Sequence, residues 1–297
     1  SSPKYSNLGI KNEYNALFRN TNSDTKNSKK FNNEPNSKIY SIFEFNSSYP
    51  LLKANKKNTK ILKPIVSLKF SPSNSKNISD EEKRIDVNNI YSLNRIAQTD
   101  SVEGGSSITY GLEYNNFNND SNRDIFTAKV ANIFRIEEER NLPKSSSIGQ
   151  KTSNIVANLN YDPNNFFKIN YDFALDENLK QQNYQLLSTQ FSVNNFINTF
   201  EYLNENNTVI SESYLTNKFA YEINEEKKLM FNTRINKKMD LTEFYNLIYQ
   251  YKNDCLIAEI EYNKDYYSDG DLKPEESIFF NLKIIPFDNT SSPNLLK

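Results

Sequence analysis

In Phe167-Lys168-Ile169-Asn170-Tyr171-Asp172-Phe173-Ala174-Leu175, apolar side chains fall on every second position. A two-residue period puts alternate side chains on opposite faces of a sheet. Turn residues close it on both sides, Asp162-Pro163-Asn164-Asn165 before and Asp176-Glu177-Asn178 after. Soluble strands run to about 5–6 residues. A strand that crosses an outer membrane needs about 9–11. Runs of this kind recur at about 152–161, 166–175, 182–193, 197–203, 212–223, 227–236, 242–252, 255–264 and 276–287. Upstream, strands are expected near 38–45, 60–70, 106–114 and 124–134, and residues 7–18 hold one more candidate. Pro64 inside the 60–70 run predicts a bulge or a strand end. The reading is all-β: an antiparallel up-and-down transmembrane β-barrel, roughly 12–13 strands of a very large one.

Three polar stretches interrupt the strands, near 20–37, 71–105 and 135–151, with a weak helical patch at Asp80–Ile85. Loops that long are usually functional or mobile. The chain is 36% hydrophobic with a mean hydropathy of −0.77. A helical membrane protein does not look like that, but a barrel with a wet lumen does, since only one face of each strand must be apolar. Roughly one residue in six is Asn, which fills turns where glycine is scarce. No stretch approaches the ~18 apolar residues of a membrane helix. A net charge of −1 argues against a general nucleic-acid binder. The absence of histidine removes the usual general base and any Ser-His-Asp arrangement. No phosphate-binding loop is present, so nucleotide-driven work is not expected of the chain. No enzyme activity, cofactor or metal is expected. The chain opens on Ser1 rather than Met, as an excised or processed piece does, and no signal peptide is visible.

Two blocks carry a family likeness. The first runs Leu62-Lys63-Pro64-Ile65-Val66, then Tyr91-Ser92-Leu93-Asn94-Arg95, Asp100, Val102-Glu103-Gly104-Gly105 and Tyr110-Gly111-Leu112-Glu113-Tyr114. The second is Tyr251-Lys252-Asn253-Asp254-Cys255, followed by Glu261-Tyr262 and by Tyr266 to Pro274. In order and spacing, from about residue 38 to 287, they resemble the C-terminal barrel of the LptD family of outer-membrane lipopolysaccharide-assembly proteins.

The resemblance implies the outer membrane of a Gram-negative bacterium and lipopolysaccharide as cargo. In such proteins a periplasmic jelly-roll domain feeds a large barrel. Lipid tails leave through a seam between the first and last strands, and sugars pass through the lumen. A plug lipoprotein of the LptE kind and periplasmic lipopolysaccharide-bridge proteins are the implied partners, with membrane lipids around the barrel. Residues 1–297 then form the later part of the barrel domain, with the jelly roll and first barrel strands lying outside them.

Under that resemblance the last strand, with Ile278, Phe280, Leu282, Ile284 and Pro286, forms one side of the seam. Pro286 lacks a backbone donor and would shorten the seam's hydrogen-bond ladder. Cys255 is the only cysteine. It is either a small buried-type thiol or, by family likeness, one half of a disulfide to an N-terminal domain. Asn94, Arg95, Asp100, Glu103, Gly104 and Gly105 end the long loop. They read as a lumenal gating motif, as a turn that needs small residues or, more weakly, as a metal site. Tyr266, Tyr267, Asp269 and Asp271 lie in a loop that either shapes the exit and holds divalent cations or is simply solvated. Lys168, Lys218, Lys228 and Arg234 suit a polar lumen that attracts phosphates. Glu259 and Glu261 share a polar face, which explains them better than paired acid–base catalysis. The rival readings are a general porin or ligand-gated importer, an outer-membrane hydrolase and a soluble adhesin-like sandwich.

Overall fold

The computed structural model describes residues 3–24, 36–207, 211–266 and 274–285. Its strands are β1 (Lys4–Tyr5), β2 (Lys11–Ser23), β3 (Asn36–Ser48), β4 (Leu51–Ala54), β5 (Asn58–Ser71), β6 (Gly105–Asn118) and β7 (Arg123–Arg135). After a short 3-10 turn at Ser147–Gly149 come β8 (Ile155–Asn164), β9 (Phe167–Leu175), β10 (Gln182–Val193), β11 (Phe196–Asn206) and β12 (Ser211–Glu222). The last four are β13 (Lys227–Asn236), β14 (Leu241–Lys252), β15 (Leu256–Asp265) and β16 (Glu276–Ile284). Each pairs with the next in chain order, except that β3 and β4 both pair with β5. This is the up-and-down antiparallel meander expected. The strand count is higher than the expected 12–13, because β2 is a full strand and β1 and β4 are short additions of two and four residues.

Pro64 does not end β5. The strand runs through it, and the irregularity falls on its neighbour instead. β3 pairs with β5 as far as Ile65, β4 takes over at Leu62, and the Tyr49 N–H reaches the Pro64 carbonyl at 3.1 Å in the gap. A residue without an N–H is tolerated where the neighbouring strand breaks. The patch at Asp80–Ile85 contains no helix, only turns and irregular backbone. The β2–β3 connection is shorter than expected, 24–35, because the strands on both sides are longer.

The chain divides into two compact units. Unit 1 is Ser1–Pro163, Asn170–Gln185 and Glu205–Ser211, and unit 2 is Asn164–Ile169, Leu186–Asn204 and Glu212–Lys297.

In unit 1 the usual order of burial is inverted. Along β5 and β6 the apolar residues Val66, Leu68, Phe70, Ile108, Tyr110 and Leu112 are exposed, while Ser67, Lys69, Ser71, Ser107 and Thr109 between them are buried. Ile108 is 37% exposed and its neighbour Thr109 1%. The register lines up Phe45, Leu68, Ile108 and Phe134 as one apolar row across four strands.

Unit 2 shows the same faces. Phe219, Phe231, Leu247, Tyr262 and Ile278 form one cross-strand row, and Tyr221, Leu229, Tyr249, Ile260 and Phe280 another. The opposite face of unit 2 carries hydrogen-bonded polar pairs. Asn232 donates to Asn246 at 3.0 Å, Asn246 to Glu261 and Asn263, and Gln250 to Glu259 at 2.6 Å. A soluble sheet hides its apolar face. Rows of exposed Phe, Leu and Ile opposite a polar ladder suit a strand with lipid on one side and water on the other.

In each unit the two ends of the sheet differ. In unit 1 the long connections 24–35, 72–104 and 136–154 leave one end, and the turns 49–57 and 119–122 leave the other. In unit 2 the ten-residue connection 266–275 and the four-residue turn 237–240 leave one end, and the short turns 223–226 and 253–255 the other. Short turns mark the periplasmic end of outer-membrane barrels and long loops the extracellular end.

Candidate functional site

The β5–β6 connection, residues 72–104, folds back over the polar face of unit 1 and is pinned there. Alternation along β5, β6 and β7 aims Lys69, Ser107, Thr109 and Arg135 at that face, and β3 adds Glu44. The connection supplies Arg95 and Glu103. Their side chains are 0% and 1% exposed, and Arg135 is also 1% exposed.

Arg95 grips Glu103 with both arms of its guanidinium: Nε donates to Oε2 at 2.7 Å and Nη2 to Oε1. Its remaining protons reach Thr109 Oγ1 at 3.0 Å and Ser107 Oγ at 2.7 Å. Arg135 donates to Glu103 Oε1 at 2.7 Å and to the Gly104 carbonyl. Such two-pronged, charge-assisted contacts are among the strongest hydrogen bonds proteins make. A second pair lies beside it. Lys69 is 3.8 Å from Glu44 and donates to the Ser92 carbonyl at 2.6 Å, and Glu44 also accepts from Asn15, Asn46 and Ser67. Desolvating these charges is costly, and the dense bonding is what offsets the cost. Burial pushes the Glu103 carboxyl up, but Arg95, Lys69 and Arg135 outweigh it and hold the group at about 2. The nearby Tyr91 hydroxyl is pushed up, chiefly by burial and then by Glu113.

Asn94, Arg95, Glu103, Gly104 and Gly105 of the loop motif come together here, while Asp100 is exposed. Asn94 accepts the Glu103 N–H at 3.2 Å and donates to the Gln98 and Ser101 carbonyls. Asp100 pairs with Lys76. At Gly104 a Cβ would lie 2.3 Å from the Ser73 carbonyl oxygen, so only glycine lets the chain pass. Gly105 takes φ +81, the left-handed region that turns the loop into β6. Lys69, Glu44, Ser107, Thr109 and Arg135 belong to the same network and were not singled out in the sequence. Their only sequence signal is a polar residue at an inward position of an alternating strand.

The loop has an apolar side as well. Val102 packs on Tyr40 and Ile42 with Leu17 and Leu93 around them, and Ile78, Ile85, Ile90 and Ile96 are buried. The β7–β8 connection locks onto it: Ile78 N–H to Asn141 O at 2.8 Å, Lys144 N–H to Ser79 O at 3.0 Å, and Lys83 N–H to Ser145 Oγ at 3.0 Å. Arg84 lies 3.7 Å from the centre of the Tyr184 ring and pairs with Glu205.

The other candidates sit in unit 2. Cys255 is exposed in the β14–β15 turn, and its carbonyl accepts the Ile285 N–H at 2.9 Å, next to the end of β16. Ile278, Phe280, Leu282 and Ile284 are exposed on one face of β16, opposite Tyr262, Ile260, Ala258 and Leu256. Pro286, Tyr267, Asp269 and Asp271 lie outside the described residues. Tyr266 stands edge-on to Tyr245, 5.7 Å between ring centres. Lys218 pairs with Glu201, Lys228 with Glu222 and Arg234 with Glu243, and Lys168 also has a partner. Glu259 and Glu261 are bonded to Gln250 and Asn246 on the polar face. Among the described residues no group of His, Cys, Asp and Glu is placed to hold a metal ion.

A family model described as LptD, LPS transport system D, matches residues 7–246. No curated protein is significantly similar to the chain. Among solved structures, a doubly substituted mutant of Rh. blastica porin aligns at 9% identity over 86% of this chain and 83% of its own, with a TM-score of 0.35. Another mutant of the same porin aligns at 9% over 88% and 91%, with a TM-score of 0.36. Scores that low bear no weight for function.

Proposed function

The chain belongs to the LptD family and is a Gram-negative outer-membrane β-barrel of lipopolysaccharide transport and assembly, and on that premise we propose that it is the later part of a translocon with a lateral seam. The family is one of transport and assembly, not of enzymes. β16 forms one wall of the seam. Lipopolysaccharide tails leave past it while the sugars cross the lumen, beside a loop that Arg95, Glu103 and Arg135 keep folded against the wall.

The observation that carries this reading is the state of β16. Among the described residues it ends the strand order, it is bonded along its length to β15, and Ile278 and Phe280 on it are 74% and 65% exposed. An unpaired strand edge in lipid costs several kcal/mol for each backbone group. Such an edge therefore calls for a partner strand that can let go briefly. The test uses the full-length protein with a cysteine pair joining Asn281 of β16 to the facing first strand of the barrel. Oxidation is expected to stop lipopolysaccharide delivery to the outer leaflet, and reduction to restore it. Full delivery with the cross-link complete rejects the seam. Pro286→Val tests the same wall: a ladder lengthened by one donor is expected to slow delivery.

Residues 1–297 are proposed as the later part of one barrel domain, with its long connections near 20–37, 71–105 and 135–151 and a periplasmic jelly roll preceding it. An LptE-like plug lipoprotein and the periplasmic bridge proteins are proposed as partners, the latter through the jelly roll. Cys255 fits an interdomain disulfide, since its turn is of the short, periplasmic kind. Non-reducing peptide mapping of the full-length protein decides that point. A general porin would conduct ions freely once reconstituted, and little conductance is expected here because loop 72–104 is fastened across the polar face of unit 1.

A further inference from the structure

The hairpin of β4 and β5 ends in a cluster of cations. Lys53, Lys56, Lys57 and Lys60 fall within residues 53–60, and all four are exposed. The register shows where two of them stand. On the apolar face, Leu51, Leu62 and Tyr114 form the last apolar rung across β4, β5 and β6. One rung further on the same face come Lys53, Lys60 and Asn116.

Two lysines directly opposite each other destabilise a strand pair unless an anion lies between them. None of the four makes an ion pair among the described residues, whereas Lys63, on the other face of β5, is 2.5 Å from Glu113. The nearby acids are Asp120 and Asp124, both exposed, on and after the adjoining turn.

The tip is held rigid. Asn119 donates its N–H to the Lys57 carbonyl at 2.8 Å and its amide to the Asn55 and Lys56 carbonyls, and it accepts from Thr59 at 3.0 Å. Asn55 Oδ1 accepts the Lys57 and Asn58 N–H groups. A fixed cationic tip is therefore set at the edge of the apolar band, in a row that continues through Asn116 to Phe126 and Tyr161, on the lipid-facing side, at the short-turn end.

We propose that this tip binds the phosphates of anionic phospholipid headgroups in the periplasmic leaflet. Lys53 and Lys60 lay their stems along the apolar rung and lift their ammonium groups to headgroup level, as lysines do at membrane boundaries. Lys56 and Lys57 add charge at the turn, in the manner of polybasic segments near anionic surfaces. A soluble acidic partner reaches the turn but not the pair on the lipid-facing rung. The site depends on the barrel's orientation in the membrane and not on the seam.

The experiment uses the full-length protein in nanodiscs of phosphatidylethanolamine mixed with phosphatidylglycerol, with native mass spectrometry counting the lipids retained. The wild type is expected to keep phosphatidylglycerol over phosphatidylethanolamine by at least about tenfold more than a variant with all four lysines changed to Gln, since each near-surface cation alone contributes severalfold. Four Arg substitutions are expected to keep the preference. High salt should weaken it, and inorganic phosphate should compete no better than chloride of equal ionic strength. A heat-dependent shift in gel mobility equal to that of the wild type checks that the variants fold. Should the fourfold variant fail that check, Lys53→Gln and Lys60→Gln alone are each expected to lower the preference. A folded Gln variant that retains phosphatidylglycerol like the wild type overturns the proposal, as does a preference lost only when a periplasmic partner protein is removed.

Discussion

Units 1 and 2 share one strand pattern but have different interiors. Every buried apolar side chain among the described residues belongs to unit 1, from Tyr40 and Ile42 through Ile96 and Val102 to Ala174 and Tyr184. Among the described residues of unit 2 the buried side chains are polar, Ser213, Asn236 and Glu243, and the inward face is an amide and carboxylate ladder. The outer faces of the two are alike, both rows of exposed aromatics and aliphatics. Alternation therefore demands only that the outside be greasy. Whether the inside is dry depends on whether a connection is long enough, and suitably charged, to fold onto it. Unit 1 has such a connection in residues 72–104, pinned to the wall by three buried charges.

The largest expected effect comes from breaking that pin. Glu103→Ala leaves Arg95 and Arg135 buried without their carboxylate, which should cost about 3–5 kcal/mol. Limited proteolysis should then cut loop 72–104 at sites protected in the wild type, while unit 2 stays resistant. Equal protection in both proteins would refute the clamp.

Next is the apolar side of the loop. Ile42→Ala empties a fully buried site and should cost about 2–5 kcal/mol in denaturant unfolding. Ile248→Ala, on the partly open inward face of unit 2, should cost a small fraction of that.

A pH titration sharpens the contrast. Glu103 is held at about 2 against an ordinary 4.5. Its folded value is depressed, so its contribution is fully present above 4.5 and is lost as pH falls from there through about 2. Protease protection of loop 72–104 should thus hold from neutral pH down to about 5 and fall only in stronger acid, and Glu103→Gln should flatten that fall.

The smallest effect is expected in the ladder of unit 2. Asn246→Ala removes two amide–amide bonds and one bond to the Glu261 carboxylate in a watery setting and should cost about 1–2 kcal/mol. A loss as large as that of Glu103→Ala would mean that the interior of unit 2 is as dry as that of unit 1.

Much of the strand layout was readable from the chain. The nine runs expected from 152 onward differ from β8–β16 by a few residues at their ends, because alternation and turn chemistry are local. The stretch Asp80–Ile85 looks helical in sequence because five charged residues beside an isoleucine mimic one helix face. The clamp was half readable. Arg95, Glu103, Gly104 and Gly105 were marked by their block. Lys69 and Arg135 were not, because Glu103 and Arg135 are 32 residues apart and meet only through the register of β6 and β7.

Period-two patterning along single segments thus dictated strands, hairpins and the lipid-facing side, because each of these follows from neighbours a few residues apart. The fate of residues 72–104 was settled only in three dimensions. Ile78, Ile85, Ile90, Ile96 and Val102 have no regular spacing, and their burial depends on a wall built from strands far off in the chain. Buried charge pairing is a long-range property: it exists once the sheet has brought Arg135, Ser107 and Thr109 within reach of the loop, and nothing in the local pattern announces it.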